Sequence, residues 1–258
     1  SNQGNLHGFG LTIRLNGGRP IRVLLDTGAT GLLLARDLLP GAGVTKVGTN
    51  LVRGVGEDRG VRPVPIYRVD SLVTGSLEFR DALVQATDRD LLVGLDGILG
   101  ADVFADFLVT LDFPARRLAL EHREATREEG FRPMFRHGHT LLVPARVNQE
   151  EDVLLQVDSG ANRSLLDEDV ARRAARITDD PFQTVRGVSG AAARVWRVEH
   201  AEFRIGDWRR TPQNALAISL ARQNQHRPFA VHGIIGLPEL RDVRLSIDYS
   251  RGLIKLGK

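Results

Sequence analysis

Short segments of alternating apolar and polar residues recur along this 258-residue chain, and each of them predicts a β-strand. Leu11–Leu15 alternates strictly, Ile21–Leu25 is a short apolar run, and Asn16-Gly17-Gly18 between them is typical of a hairpin turn. Further strands are predicted at Ile66–Leu72, Leu77–Val84, Val195–Val198 and Ala201–Ile205. We therefore expect a mostly β protein.

Helical periodicity is confined to two short segments. Asp102–Phe107 is one of them, and Asp167–Ile177 is the other. The second is rich in Ala and Arg, and its acidic first residues suit the positive end of a helix dipole. Pro212–Arg227 has no clear period, so we predict a loop there.

The sequence is duplicated. Val23–Ala29 corresponds to Leu155–Ala161, 132 positions later, so that Asp-Thr-Gly at 26–28 matches Asp-Ser-Gly at 158–160. Three later motifs recur in the same order, with small changes in the separation between the two copies. They are Val52–Gly56 with Val185–Ser189, Gly97–Gly100 with Gly233–Gly236, and Leu111–Phe113 with Ile247–Tyr249. We predict two homologous lobes, residues 1–125 and 126–258, joined near the charged segment 121–130 and packed about a pseudo-twofold axis.

The two Asp-containing words carry the candidate chemistry. A single Asp-[Ser/Thr]-Gly is weak evidence, because these residues also cap ordinary turns. Two copies, each ending an apolar strand, bring Asp26 and Asp158 together at the axis. Like charges so close cannot both ionise, so the pair shares one proton and can activate a water molecule for attack on an amide. This chemistry needs no cofactor and no metal, and we expect none.

Composition and charge exclude several other classes. The chain has no cysteine, which excludes disulfides and thiolate metal sites. Its net charge is only +3 and no block of five basic residues occurs, so we expect no nucleic-acid partner. His137-Gly138-His139 has no acidic or Cys partner at ligand spacing and is interpreted as a loop. No serine-hydrolase elbow, zinc-protease helix motif or phosphate loop is present.

On these motifs the chain resembles the retroviral-type aspartic peptidases (retropepsins), here as two fused copies in a single-chain arrangement like that of pepsins. The landmarks in each half are Asp-[Thr/Ser]-Gly-Ala, a Gly-containing flap hairpin, and the words Ile98-Leu99-Gly100 and Ile234-Ile235-Gly236. The resemblance implies a mostly β, bilobal acid-protease fold. Two retropepsin-like β-barrel lobes would be related by a pseudo-twofold axis, with few short helices.

The resemblance also implies residue roles. Asp26 and Asp158 would hold the catalytic water, Thr27 and Ser159 would hydrogen-bond across the lobe junction, and Gly28 and Gly160 would let the backbone approach the substrate. The flaps that close over a peptide would be Val52, Arg53, Gly54, Val55 and Gly56, and Val185, Arg186, Gly187, Val188, Ser189 and Gly190. Ordinary surface hairpins are the alternative for these two segments.

Some positions depart from the pepsin pattern. Ala29 and Ala161 stand where pepsins often carry a hydroxyl residue that would stabilise the ionised pair. Our hypothesis is therefore a pH optimum of about 5–7 rather than about 2–3. Asp96 in the first half corresponds to His232 in the second, where we expect a hydrogen-bonded surface histidine.

These observations predict an aspartic endopeptidase that cleaves an extended polypeptide in the cleft between the lobes. Both carboxylates lie in one chain, so dimerisation is not required and a monomer would suffice. A catalytically silent peptide-binding module on the same fold is the first alternative. A glycoside hydrolase with two carboxylates is the second, although it does not predict the duplication. The resemblance further implies export in a bacterium, to the periplasm, with any signal or anchor outside these residues.

Overall fold

The computed structural model describes residues 8–52, 62–92, 94–122, 129–137, 140–181, 183–187, 190–191, 194–225 and 227–257. Within these ranges the first half contains the strands β1 (Phe9–Leu15), β2 (Ile21–Asp26), β3 (Leu32–Ala35), β4 (Thr45–Val52), β5 (Arg62–Thr74), β6 (Leu77–Thr87), β7 (Gly97–Gly100), β8 (Leu108–Asp112) and β9 (Arg117–Glu121). Its helices are the 3-10 turns Arg36–Leu38, Arg89–Leu92 and Ala101–Phe104.

The second half continues the series. Its strands are β10 (Arg132–Pro133), β11 (Phe135–His137), β12 (Thr140–Val147), β13 (Glu150–Val157), β14 (Leu165–Asp167), β15 (Arg176–Asp179), β16 (Arg186–Gly187), β17 (Gly190–Ala191), β18 (Trp196–Glu199), β19 (Phe203–Ile205), β20 (Trp208–Arg210), β21 (Leu216–Ile218), β22 (Gly233–Ile235), β23 (Arg244–Asp248) and β24 (Leu253–Gly257). Its helices are α1 (Glu168–Ala174), α2 (Ala221–Asn224) and α3 (Leu237–Leu240).

The duplication predicted from sequence is visible in the sheet topology. The first lobe is built on a seven-stranded sheet of order β1-β2-β7-β3-β6-β5-β4. In it β7 lies between β2 and β3, parallel to β2 and antiparallel to β3. In the second lobe β22 lies in the same way between β13 and β14. The predicted mostly β, bilobal acid-protease fold is thereby confirmed.

A third sheet joins the lobes. Its order is β10-β24-β23-β8-β9, so that β8 of the first half pairs antiparallel with β23 of the second. Val109 and Leu111 on β8 and Leu245 and Ile247 on β23 are fully buried, and they belong to a hydrophobic cluster that also contains the cores of both lobes. The lobes therefore share a continuous apolar base.

Two asparagines show that the repeat extends to side-chain contacts. Asn16 and Asn148 end the first strand of each lobe's hairpin at positive φ, 47° and 52°, which Asn tolerates better than most residues. The side-chain amide of Asn16 donates to the carbonyls of Ala42 and Gly43, and that of Asn148 to the carbonyls of Ala174 and His200. Oδ1 of Asn16 also accepts the N–H of Ser71 at 2.9 Å, so each asparagine ties its hairpin to two other segments of its own lobe.

The helical predictions are partly confirmed. Asp167 caps α1 by accepting the N–H of Asp169 at 3.1 Å, but the helix ends at Ala174. The next residues, Arg176–Asp179, form β15 instead, because they pair antiparallel with β18. In the first half the helical turn is Ala101–Phe104, one residue earlier than predicted and shorter.

The predicted loop at Pro212–Arg227 is wrong. Residues 216–218 form β21, which is buried and lies between β18 and β14, and α2 follows it. A three-residue buried strand is too short to show a period, and its pairing partners rather than its own sequence select the extended state.

The boundary between the predicted lobes, 1–125 and 126–258, stays a prediction, since residues 123–128 lie outside the described ranges. In the part of the chain that the structure describes, no helix is long and apolar enough to cross a membrane.

Candidate active site

The two Asp-containing loops follow inner strands of the two lobes. Asp26 is the last residue of β2, and Asp158 directly follows β13. Beside them run the Ile-x-Gly words: Asp26 is in register with Gly100, and the N–H of Asp158 donates to the carbonyl of Ile235 at 3.0 Å. A Cβ on Gly100 would lie 2.6 Å from the carbonyl oxygen of Ala29, so a larger residue there would displace the first loop.

A reciprocal set of hydrogen bonds ties the two loops together. The N–H of Thr27 donates to Oγ of Ser159 at 3.1 Å, and the N–H of Ser159 donates to Oγ1 of Thr27 at 3.0 Å. The same hydroxyls donate onward, Thr27 to the carbonyl of Val157 at 2.9 Å and Ser159 to that of Leu25 at 3.3 Å. Thr27 and Ser159 are buried, so this network is shielded from water and fixes one loop against the other.

The structure brings the carboxyl groups of Asp26 and Asp158 into a hydrogen bond with each other. Oδ1 of Asp26 accepts the N–H of Gly28 at 2.7 Å and the N–H of Gly160, from the other lobe, at 3.1 Å. Oδ1 of Asp158 accepts the N–H groups of Gly160 at 3.0 Å and Ala161 at 2.9 Å. Backbone donors therefore hold the inner oxygen of each carboxyl in place.

Burial and mutual repulsion set the protonation of this pair. Burial raises the pKa of Asp158 well above its ordinary value, and the neighbouring Asp26 charge raises it further. Burial also raises the pKa of Asp26, but the hydrogen bonds from Gly28 and Asp158 oppose that shift. Both pKa values are raised, and the pair titrates as a unit that shares one proton.

Gly28 and Gly160 each face the aspartate of the other lobe. A Cβ built on Gly28 would overlap the carboxyl group of Asp158, and one on Gly160 would overlap that of Asp26. Neither glycine has positive φ, so close approach and not backbone conformation requires glycine here.

The predicted flap segments are described only in part. Val52 ends β4, which pairs with β5 as a hairpin, while Arg53, Gly54, Val55 and Gly56 lie outside the described residues. In the second lobe β16 (Arg186–Gly187) pairs with β17, which begins at Gly190, and Val188 and Ser189 lie outside the described residues. Val185 packs against a small cluster that includes Leu165 and Ile218. The described strands next to these segments pair as hairpins, and the contact of the segments with a substrate stays a prediction.

His232 has a structural environment. Its Nδ1 accepts the N–H of Leu154 at 3.0 Å, its ring is half-buried rather than on the surface, and burial lowers its pKa. The corresponding Asp96 accepts a hydrogen bond from Arg89 at 2.8 Å. His137 packs edge-on against Phe229, and His139 lies outside the described residues. Among the described residues no group of three or more His, Cys, Asp and Glu side chains is placed to hold a metal ion.

Sequence reasoning missed two features of the second loop. The side-chain amide of Gln156 donates to Oδ2 of Asp158 at 3.4 Å. The only sign of this contact in the sequence is that Gln156 is polar, whereas Leu24, the equivalent residue of the first half, is apolar. Beneath the loop, Oγ of Ser164 accepts the N–H of Gly236 at 2.9 Å and donates to the buried carboxyl of Glu239, whose pKa is raised by burial.

Two carboxyl groups that share one proton can take a proton from water and give one to a carbonyl oxygen in the same step. Independent evidence points the same way. A protein-family model described as aspartyl protease matches residues 11–103 and again residues 143–238. No curated protein matches the chain. The two matched regions cover most of the chain and one lies in each half of it, so the chain belongs to the aspartyl protease family, as two fused retropepsin-like copies.

Proposed function

We propose that this protein is an aspartic endopeptidase that hydrolyses peptide bonds of an extended polypeptide bound between its lobes. The proposal is carried by the hydrogen-bonded pair of Asp26 and Asp158, one carboxyl group from each lobe. The aspartate that carries the charge would take a proton from a bound water molecule. The protonated partner would donate to the carbonyl oxygen of the scissile bond, so that water attacks without a covalent enzyme intermediate.

Positioning supports the same proposal. General acid–base catalysis requires that both groups are held still before substrate arrives. The backbone donors of Gly28, Gly160 and Ala161 fix the inner carboxyl oxygens, and the contacts between Thr27 and Ser159 fix the loops. In the described part of the chain no backbone N–H donates to Oδ2 of either aspartate, and these oxygens would face water and substrate, with the Gln156 amide beside that of Asp158.

A single chain supplies both aspartates, so we propose that a monomer is active. The flap hairpins, around Val52–Gly56 and Val185–Gly190, would close over the polypeptide and add backbone hydrogen bonds to it. The exported, periplasmic location implied by the family resemblance stays a prediction.

A catalytically silent peptide-binding module is the alternative on the same fold. Such a module would need no paired carboxyls. Burying two acidic groups against each other destabilises the fold, and catalysis by the pair gives a reason for keeping them. Both motifs are intact in this chain, which favours the enzyme.

The test is digestion of a diverse peptide mixture by the purified chain between pH 3 and 8, with new termini identified by mass spectrometry. We expect internal cleavage that persists in EDTA and in the presence of hydroxylamine, with no hydroxamate product, because no metal and no acyl-enzyme take part. Binding of peptides without cleavage at any pH would support the silent module instead.

A further inference from the structure

The side chain of Gln156 contacts Asp158 of the candidate catalytic pair, although Gln156 lies outside the Asp-Ser-Gly-Ala motif. Its Nε2 lies 3.4 Å from Oδ2 of Asp158. Gln156 precedes Asp158 by two residues at the end of β13, and residues two apart on a strand point to the same face. Its position therefore directs its amide towards the reacting carboxyl.

Gln156 contacts Oδ2 of Asp158, to which no backbone N–H of the described residues donates. Oδ1 of Asp158 already accepts the N–H groups of Gly160 and Ala161. Oδ2 receives the Gln156 amide instead. The amide is thus placed to fix the rotation of the carboxyl group about its Cβ–Cγ bond.

The matching position of the first lobe holds no donor. Leu24 occupies the matching position, two residues before Asp26, and its side chain is aliphatic and buried. The strands on either side of Gln156 present Leu142 from β12 and Ile234 from β22, neither of which titrates. Asp26, across the lobe junction, is the charged group that acts on Asp158.

We infer that Gln156 is a positioning residue of this active site: its amide holds Oδ2 of Asp158 in a fixed orientation, a contact that Leu24 cannot make to Asp26. The inference rests on the proposed peptidase function. Acid–base catalysis by the pair requires each carboxyl to be held in a fixed orientation towards water and substrate.

The contact between Gln156 and Asp158 has a measurable consequence. An amide N–H stabilises the ionised form of the carboxyl that accepts it, so it lowers the pKa of that carboxyl. Removing the donor therefore raises the pKa of Asp158. Loss of the proton that the pair shares sets the alkaline limb of the activity profile, and that limb moves to higher pH in a variant without the donor.

The experiment compares Gln156→Met, which keeps length and shape without a donor, and Gln156→Leu, which copies Leu24. The expected result is a kcat several-fold lower with KM within about twofold, and an alkaline limb of kcat/KM raised by about 0.5–1 pH unit. Gln213→Leu makes the same chemical change at an exposed position and serves as the control. A fall in kcat with an unmoved alkaline limb would show a packing role only and would overturn the inference.

A second measurement is independent of turnover. Carboxyl 13C resonances of the aspartates, followed between pH 3 and 9 in the wild type and in Gln156→Met, report the titration of the pair directly. A higher apparent pKa in the variant supports the inference, and an unchanged titration contradicts it. If the wild type cleaves no peptide, the proposed function fails while this titration still decides the role of Gln156.

Discussion

Oγ1 of Thr110 and Oγ of Ser246 lie 2.9 Å apart across the pairing of β8 with β23, and the two residues are 136 positions apart in the chain. The same spacing separates Gly100 from Gly236 in the repeated words. Thr110 and Ser246 are therefore equivalent residues that meet each other, which places them on the pseudo-twofold axis. Thr27 and Ser159 form a second such pair beside the carboxyl groups. Contacts that involve hydroxyl groups therefore lie on the axis in two places, in the sheet that joins the lobes and beside the two aspartates.

Removal of either hydroxyl from the Thr27–Ser159 pair should loosen the active-site loops. Thr27→Ala or Ser159→Ala leaves a buried N–H of the opposite loop and a buried carbonyl without their partners. We expect a loss of about 1–3 kcal/mol in the free energy of unfolding, measured by urea denaturation, together with a lower kcat. Thr27→Ser keeps the hydroxyl and is the control. An unfolding free energy within about 0.5 kcal/mol of wild type in both alanine variants would contradict the importance of these bonds.

A methyl group on either active-site glycine should abolish the close approach of the two loops. Gly28→Ala and Gly160→Ala would each place Cβ on the carboxyl group of the opposing aspartate. We expect kcat to fall by about 10²-fold or more, because catalysis depends on this geometry. Gly10→Ala, where the nearest atom to the new Cβ is 4.0 Å away, is the matched control and should retain activity. Full activity in Gly160→Ala would mean that the loops lie farther apart than described.

Neutralising Asp158 should stabilise the fold at neutral pH while removing activity. The pKa of Asp158 is raised in the folded state by burial and by Asp26, so the unfolded chain loses this proton first. The stability contributed by the neutral carboxyl is full below the unfolded pKa and is lost as pH rises through the folded pKa. Asp158→Asn should therefore have a higher Tm than wild type at pH 7–8, and the difference should shrink towards pH 4. An equal or lower Tm at pH 8 would show that the pair does not repel in the folded protein.

The activity optimum should lie at about pH 5–7. Ala29 and Ala161 supply no hydroxyl to the carboxylates, and burial raises the pKa values of both aspartates. Both effects move the singly protonated form of the pair to higher pH. The measurement is kcat/KM for one cleaved peptide across pH 3–8, and a profile that peaks below about pH 4 would refute the hypothesis.

The second loop should depend on the buried contact between Ser164 and Glu239. Ser164→Ala would leave the N–H of Gly236 and the carboxyl of Glu239 without their hydroxyl partner. We expect a loss of about 1–3 kcal/mol in the free energy of unfolding. Ser219→Ala, at an exposed position, is the control for the same chemical change. Equal stability of the two variants would argue that Glu239 is satisfied in another way.

The features that were predictable from sequence are those that local pattern encodes. Alternation of apolar and polar residues identified β1, β5 and β6, and a short apolar run identified β2. The recurrence of short motifs identified the duplication. Once the halves are equivalent, the meeting of Asp26 with Asp158 follows from symmetry alone. The structure brings them together as that argument requires.

The features that were not predictable depend on partners distant in sequence. β21 is three residues long, and it is extended because β14 and β18 flank it. The contact of Gln156 with Asp158 depends on the rotamer of Gln156 and on the packing of β13 between β12 and β22. The pair of Ser164 and Glu239, 75 positions apart, breaks the repeat, so symmetry could not reveal it. A comparison of the two halves of the sequence therefore does not reveal features that occur in only one half.

The most direct test of the central claim is the rate of peptide cleavage by Asp26→Asn and by Asp158→Asn beside the wild type. The amide preserves size and shape but cannot exchange the shared proton. We predict that kcat/KM falls by about 10²–10⁴-fold in each variant, with both proteins folded by circular dichroism. Cleavage at the wild-type rate in either variant would contradict the assignment of that aspartate and with it the shared pair.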